Sequence, residues 1–478
     1  MTTLCIPETG RDRGEILEAM KSFGGDDAKW RDGKTWSLVY SLGDEHTRFL
    51  KEAHGLYFSE NALNPLAFKS LKRFETEVVR MTAHLLHGDD QVCGTMTSGG
   101  TESCLLAVKT YRDRANKRRP EMIVPVTVHV AFEKAAHYFG MKPVRVPVDD
   151  TGRVDVETVR KRINRNTALI VGSAPCYPYG AIDPIEALGA LAQQAGVPLH
   201  VDGCLGGFML PFVERLGHVL PPWDFRVPGV TSIGADVHKY GYSAKGASVI
   251  LYRNMDYLKH QFFVYTEWPG GIFISPALLG TRSGGPIGAA WAAMNALGVN
   301  GYLEIAGTVM TATKTLIEGI QSIPGLKIVG KPDMSVFAYA SEDPALNIYV
   351  VGDIMEKKGW HVDRLQKPEA LHAMVTPGHA AVAEQFIKDL RDAAVQARAH
   401  PEWAGKGNAA MYGIMAELPL RGMVKKNVLK VMEQLYGPEG AMPDFDASLD
   451  DDGEAPEPDF AVKAATLFLK LKRKLTGK

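Results

Sequence analysis

Between Met122 and Ile250 the chain alternates short, largely apolar runs with longer segments whose apolar positions return every three or four residues. The short runs, at 122–126, 144–148, 168–171, 198–201, 230–233 and 248–251, predict strands. The longer segments predict helices at 133–139, 154–163 and 184–195, the last capped by Asp183 with Pro184 in its first position. Apolar strands separated by helices predict an α/β unit: a mostly parallel sheet covered on both faces. Upstream, residues 61–65 are turn chemistry. Phe68, Leu71, Phe74, Val78, Met81 and Leu85 then mark a helix by their spacing.

Beyond a predicted helix at 288–297 the pattern breaks near Asn300-Gly301 and changes character. Helices at 305–323, 350–358 and 380–397, with strands at 326–329, 336–340 and 373–376, predict a smaller α+β unit. Residues 1–60 are polar, interrupted by Gly24-Gly25 and Gly33, and read as an arm that packs on another surface. The expected division is an arm over 1–60, a large domain over 61–300 and a small C-terminal domain over 301–478. Near 443–458 the chain turns acidic and proline-containing, which predicts a flexible segment before a last amphipathic helix at 460–475.

Composition narrows the partners. Lys plus Arg total 54 and Asp plus Glu 55, so no basic surplus points to nucleic acid or to anionic lipid. The cysteines number 5, scattered and without paired metal spacing, as expected in a reducing compartment and with no metal site. No secretory signal opens the chain, and no apolar run reaches the roughly 20 residues that span a bilayer. The expected location is cytoplasmic, without a transmembrane anchor.

Ligands of parallel sheets bind beyond the strand carboxyl ends, so the residues just after each apolar run are the informative ones. In 231–252 two apolar flanks enclose a polar centre, which reads as strand, bend, strand, with His238-Lys239 at the bend. Burial there disfavours the charged amine and frees a nucleophile, as a Schiff-base lysine for pyridoxal phosphate requires. The alternative is a solvated hairpin lysine. Ser98-Gly99-Gly100-Thr101-Glu102-Ser103 opens a helix with small residues, exposing N–H groups to an anion; Ser98, Thr101 and Ser103 add hydroxyls. An ordinary capped helix would read the same way. His129, Tyr177 and Asp202 follow three of the apolar runs. Singly they could be a backbone-satisfied histidine, a loop tyrosine and a capping aspartate. Asp202, at the edge of an apolar run, would suit a protonated pyridine nitrogen. Phosphate loop, His, Asp and Lys in this order point together to a pyridoxal-phosphate site.

On these residues the chain resembles the sphingosine-1-phosphate lyases, fold-type-I pyridoxal-phosphate enzymes among the lysine-dependent decarboxylases. The resemblance runs from about Tyr40 to Tyr412. It is carried by Thr-Ser-Gly-Gly-Thr-Glu-Ser at 97–103, His-Val-Asp-Gly-Cys-Leu-Gly-Gly-Phe at 200–208, and the stretches 131–148, 235–248, 261–271 and 280–285. It implies that Lys239 carries the cofactor, Asp202 pairs with the pyridine nitrogen and His129 stacks on the ring. Gly100 and Thr101 would hold the phosphate with His238, and Thr281 of a neighbouring subunit would complete that site, which implies a homodimer. Tyr40, Asn61, Tyr177 and Lys245 would line the substrate side, with Tyr177, Tyr40 and Lys245 as the acid and base candidates. Phe262, Phe263, Trp268 and Phe273 are candidates for an apolar tail. The implied reaction is retro-aldol cleavage of a phosphorylated long-chain base to a long-chain aldehyde and phosphoethanolamine. An amino-acid decarboxylase of the same fold and a catalytically silent cofactor-binding paralogue are the alternatives. The family often has His at position 64, Ala at 203 and Thr at 237, where this chain has Asn64, Gly203 and Val237. The first change removes a titratable group from near the expected site.

Overall fold

The computed structural model describes residues 5–417, 421–438 and 440. The N-terminal segment holds helices α1 (Arg13–Phe23) and α2 (Asp44–Gly55), followed by α3 (Lys69–Leu85). Next come β1 (Cys93–Thr97), α4 (Gly100–Ala115), β2 (Glu121–Pro125), α5 (Val130–Phe139), β3 (Lys142–Val146) and α6 (Val156–Arg162). The unit continues through β4 (Thr167–Ser173), α7 (Ile185–Ala195), β5 (Leu199–Asp202), α8 (Leu210–Arg215), β6 (Val230–Ala235), β7 (Ser248–Tyr252) and α9 (Met255–Leu258).

The seven strands form one sheet in the order β1-β7-β6-β5-β4-β2-β3. Pairing from β3 through β6 is parallel, and β7 runs antiparallel to both β6 and β1. The mostly parallel sheet expected from the alternation is present. Side chains alternate across it. Ile123, Ile170 and Ile233 join the core packed by Leu71 of α3 and Leu188 of α7. Met122, Val124, Leu169 and Ile250 join a second core with Leu106 of α4 and Phe132 of α5.

A hairpin, β8 (Phe263–Trp268) and β9 (Gly271–Ser275), leads into the 38-residue α10 (Gly284–Gln321). The break expected near Asn300-Gly301 is instead a kink at Gly298, where φ is 56° and the helix resumes at once. Gly298 supplies the left-handed conformation without a Cβ clash. Thus α10 crosses the expected boundary at residue 300. The smaller sheet has the antiparallel order β10-β11-β13-β12, from β10 (Leu326–Ile328), β11 (Val336–Ser341), β12 (Asp363–Gln366) and β13 (Glu369–Met374). It is accompanied by α11 (Ile348–Lys357), α12 (Ala383–Ala399), α13 (Gly407–Glu417) and α14 (Arg421–Tyr436).

Two further expectations change. The arm is partly helical, and α2 packs on α10: a Cβ at Gly285 would stand 2.5 Å from the His54 ring. Asp183 does not cap α7. Its buried carboxylate accepts the N–H of Val154 at 2.9 Å and of Ser173 at 2.8 Å, pinning the loop after β4. Burial raises its carboxyl to about 6 against those hydrogen bonds. The acidic segment at 443–458 and the helix at 460–475 lie outside the described residues. Among the described residues, no helix is long and apolar enough to cross a membrane.

Candidate active site

At the carboxyl end of β6 the chain turns through Asp236, Val237, His238 and Lys239 before returning as β7. Val237, Tyr240 and Tyr242 are buried and anchor the turn. The N–H of His238 donates to the carbonyl of Ala247 at 3.0 Å, and its Nδ1–H donates to the same oxygen at 2.7 Å. Burial lowers the proton affinity of this imidazole, so it stays neutral near pH 7 with Nε2 unprotonated.

The turn walls a cavity of about 500 Å³ shared with Gly99, Gly100 and Thr101 of the α4 start, His129, Tyr177, Asp202 and Lys245. No side chain caps α4 at Gly99, which leaves its first N–H groups at the cavity wall. Of the three hydroxyls expected to serve an anion, only Thr101 lines the cavity unclaimed by a neighbour. Ser98 donates from N and Oγ to Glu102, each at 2.7 Å. Ser103 lies 2.7 Å from Thr97 Oγ1 and 3.0 Å from Ser248 Oγ. Asp202 closes β5, with Oδ1 accepting the N–H of Cys204 at 3.1 Å. Its neighbour His200 is buried against Ser232 and pushed down to about 4, chiefly by desolvation. His129 caps α5: Nδ1 accepts the N–H of Ala131 at 3.2 Å, which places the neutral ring's proton on Nε2.

Lys239 is not the freed amine that burial alone predicts. Desolvation does oppose its charge, but Asp236, with Oδ2 at 2.9 Å from Nζ, overcomes it and holds the lysine well above its ordinary value. Lys245 behaves oppositely. Desolvation first and the Lys239 cation second lower it to about 8, with Asp236 acting against them. Its Nζ reaches the carbonyl of His238 at 3.5 Å and lies 5.0 Å from the centre of the Tyr40 ring.

Tyr177 comes from the loop after β4 and lies against the small sheet. Its ring stacks on His372 of β13 at 4.4 Å, and its hydroxyl points at Asp363 of β12, 3.4 Å away. Burial and the Asp363 carboxylate push this phenol up. Tyr40 also titrates high, through burial and Tyr240. Its hydroxyl donates to Met374 Sδ at 3.3 Å, and it lines an adjoining hollow with Lys245 rather than the Lys239 cavity.

The remaining expected residues do not join this cavity within one chain. Asn61 Nδ2 donates to Thr281 Oγ1 at 3.3 Å, while its Oδ1 accepts the N–H groups of Leu63 and Arg282 at 2.9 and 3.1 Å. Asn64 caps a turn, accepting the N–H groups of Leu66 and Ala67. Phe262 immediately precedes the hairpin that carries Phe263, Trp268 and Phe273, and none of the four lines the cavity. Sequence reasoning missed Asp236, Asp363 and His372. Asp236 was legible as an acid ending the apolar run before His238-Lys239. The other two carry no local signal. Cys104 and Cys204, far apart in sequence, meet beside Asp202 with donor atoms within 4.8 Å, a grouping that spacing could not show.

A parallel sheet with a lysine turn, an uncapped helix start and an acid at neighbouring strand ends defines a class. Residues 68–340 match the family model of the pyridoxal-dependent decarboxylase conserved domain. A sphingosine-1-phosphate lyase of Arabidopsis thaliana is 47% identical over 434 residues, 88% of this chain and 79% of the relative. That of Oryza sativa subsp. japonica is 46% identical over 90% of this chain and 81% of its own length. The solved sphingosine-1-phosphate lyase of Burkholderia pseudomallei matches with a TM-score of 0.83 and 41% identity, covering 91% of this chain and 97% of that one. The chain belongs to the sphingosine-1-phosphate lyases within the pyridoxal-dependent decarboxylase family. The donor set fits the cofactor of that family: helix N–H groups for a phosphate, a buried carboxylate for a pyridinium and a lysine for the carbonyl.

Proposed function

We propose that this chain cleaves the C2–C3 bond of a phosphorylated long-chain base such as sphingosine 1-phosphate, releasing a long-chain aldehyde and phosphoethanolamine. The supporting observation is the convergence of the α4 start, His129, Asp202 and Lys239 on one cavity in a chain of this family. Bound pyridoxal phosphate supplies the electron sink for the breaking bond. Lys239 would hold the cofactor through Nζ, Asp202 would pair with its pyridine nitrogen and His129 would stand against its ring. Gly100, Thr101 and His238 receive the phosphate.

The three acid and base candidates separate by proton affinity. Lys245, at about 8, is poised to take the proton of the C3 hydroxyl on Nζ. Tyr177, held high by burial and Asp363, stays protonated and would return a proton to C2 once the C2–C3 bond has broken. Tyr40 positions Lys245 from the arm.

As domains we read an arm over 1–60, a cofactor-binding unit over 61–300 and a smaller unit from 301, joined through α10. The working unit is a homodimer in which Thr281 of the partner subunit completes the phosphate site and Asn61 reaches the substrate. In support, Thr281 is exposed away from its own chain's cavity, and the hairpin exposes Phe263, Val264, Trp268 and Ile272. Five unpaired thiols favour a reducing, cytoplasmic setting.

Product analysis tests the reaction. With sphingosine 1-phosphate, long-chain aldehyde and phosphoethanolamine should appear in equal amounts. Carbon dioxide from glutamate or aromatic amino acids, with no aldehyde from the phosphorylated base, would establish the decarboxylase instead. Cofactor binding with neither product would identify a silent paralogue.

A further inference from the structure

Asp236 has no part in the chemistry above, yet its carboxylate is buried at the cavity wall beside Lys239. It is 1% exposed and stands three residues before Lys239, with Oδ2 at 2.9 Å from Nζ. Ser248 Oγ–H donates to Oδ1 at 2.5 Å. Behind Ser248 the hydroxyls continue inward, to Ser103 at 3.0 Å and from Ser103 to Thr97 at 2.7 Å. Each hydroxyl has one proton. With the Ser248 proton on the carboxylate, Ser103 can donate to Ser248, and Thr97 either to Ser103 or to the Gly99 carbonyl 3.2 Å away. The start of α4 is packed onto the same group: a Cβ on Gly100 would lie 2.6 Å from Oδ2 and 2.8 Å from Oδ1. Three strands and a helix therefore converge on one buried anion whose cationic partner is Lys239. An ionised carboxylate is costly to bury unless paired. A structural ion pair alone would not need to be aimed at the lysine of the cavity.

We propose that Asp236 is the positioning residue of Lys239: fixed by the Ser248–Ser103–Thr97 hydroxyls, it holds the amine as an ammonium at the cavity wall and governs the pH at which the amine becomes available for cofactor attachment. The proposal rests on the reading of Lys239 as the cofactor lysine, but its geometry exists before any cofactor binds. Other titratable groups around this pair are His238 on the same turn, Lys245 on the return to β7 and Tyr40 from the arm. Cys104 of α4, Asp202 at the end of β5, Cys204 just beyond it, Tyr177 after β4 and Tyr240 next to Lys239 also face it. All are retained when Asp236 alone is changed.

The test is competitive amine labelling of the full, cofactor-stripped chain with acetic anhydride across pH, read by peptide mass spectrometry, with exposed Lys388 as internal standard. In the wild type, the labelling midpoint of Lys239 should lie above that of Lys388. In Asp236→Asn, which keeps the shape and removes the charge, burial is left unopposed. The midpoint of Lys239 should then fall by about one pH unit or more. A wild-type midpoint at or below that of Lys388 overturns the proposal, whether or not the variant folds. So does a folded Asp236→Asn chain with an unmoved midpoint. Failure of the lyase reading would appear separately, as missing aldehyde from an unmodified chain whose labelling is as expected.

Discussion

Replacing Lys245 with arginine tests the acid–base assignment most directly. Arginine keeps the positive charge and the reach of lysine but does not release its proton in the accessible pH range. The midpoint of Lys245 lies at about 8, so about a tenth of it is neutral near pH 7 and about nine tenths near pH 9. If Nζ takes the hydroxyl proton, kcat should climb roughly tenfold over that interval and then level off. An unperturbed lysine would instead keep rising by a decade per unit beyond it. Of the neighbouring groups, His238 is shifted down and Tyr177 and Tyr40 are shifted up, away from this limb. In Lys245→Arg the limb should vanish and kcat should fall by about 10²–10⁴, while cofactor absorbance and its covalent retention on Lys239 persist. The assay is aldehyde release at saturating substrate from about pH 6 to about pH 10. A rising limb that survives in Lys245→Arg, at whatever absolute rate, would refute Lys245 as the base and return the role to Tyr177 or Tyr40.

The shared site and the lysine can be tested together. Lys239→Ala should abolish borohydride-fixed cofactor, and Thr281→Asp should place an anion against the phosphate. Randomly mixed, the two inactive variants should recover about a quarter of wild-type activity, since half the dimers would carry one intact site. No recovery in verified heterodimers would exclude a site shared in this way. Asp183→Asn should destabilise the fold by about 1–3 kcal/mol. Asp183 accepts N–H groups on both oxygens, whereas the amide would turn a donor toward one of them. Urea unfolding with an unchanged midpoint and slope would refute that role.

The central strands β2, β4, β5, β6 and β7 were legible because they are buried along their length and read as apolar runs, whereas β1 was not predicted. The small sheet was legible only in part. Its strand β12, Asp363–Gln366, reads Asp-Arg-Leu-Gln, and nothing in those four letters separates an edge strand from a loop. Helices α1 and α2 contain no buried residue, and the apolar positions of α2 are limited to Phe49, Leu50 and Ala53, too few to mark a packed helix in the sequence. The kink fell at Gly298 rather than at Asn300-Gly301 because helical packing of the following residues overrode a local turn signal. At the site, Asp236 was passed over although it stands three residues before Lys239, and partners recruited from afar carried no local signal at all. Asp363 and His372 reach Tyr177 across 186 and 195 residues. Asp183 looked like a helix cap because the letters Asp-Pro before an apolar helix are cap letters. Its carboxylate instead went to two N–H groups brought beside it by folding.

The sequence argument for Lys239 rested on burial alone, and burial is only part of what acts on this amine. Burial would have predicted that both lysines of the turn lose proton affinity. In the structure they diverge, and a single carboxylate explains most of the divergence. Lys239 lies within 2.9 Å of Asp236 and is raised. Lys245 forms no ion pair with that carboxylate, and the resulting Lys239 cation helps lower it. Groups of one chemical type driven apart by their surroundings can divide the work of a reaction. Under the proposed roles the division would be between holding a cofactor and moving a proton, six residues apart in one turn. It also makes the two lysines non-interchangeable: exchanging their neighbours would require moving Asp236, and Asp236 is held by the same hydroxyl chain that packs the start of α4 onto the sheet.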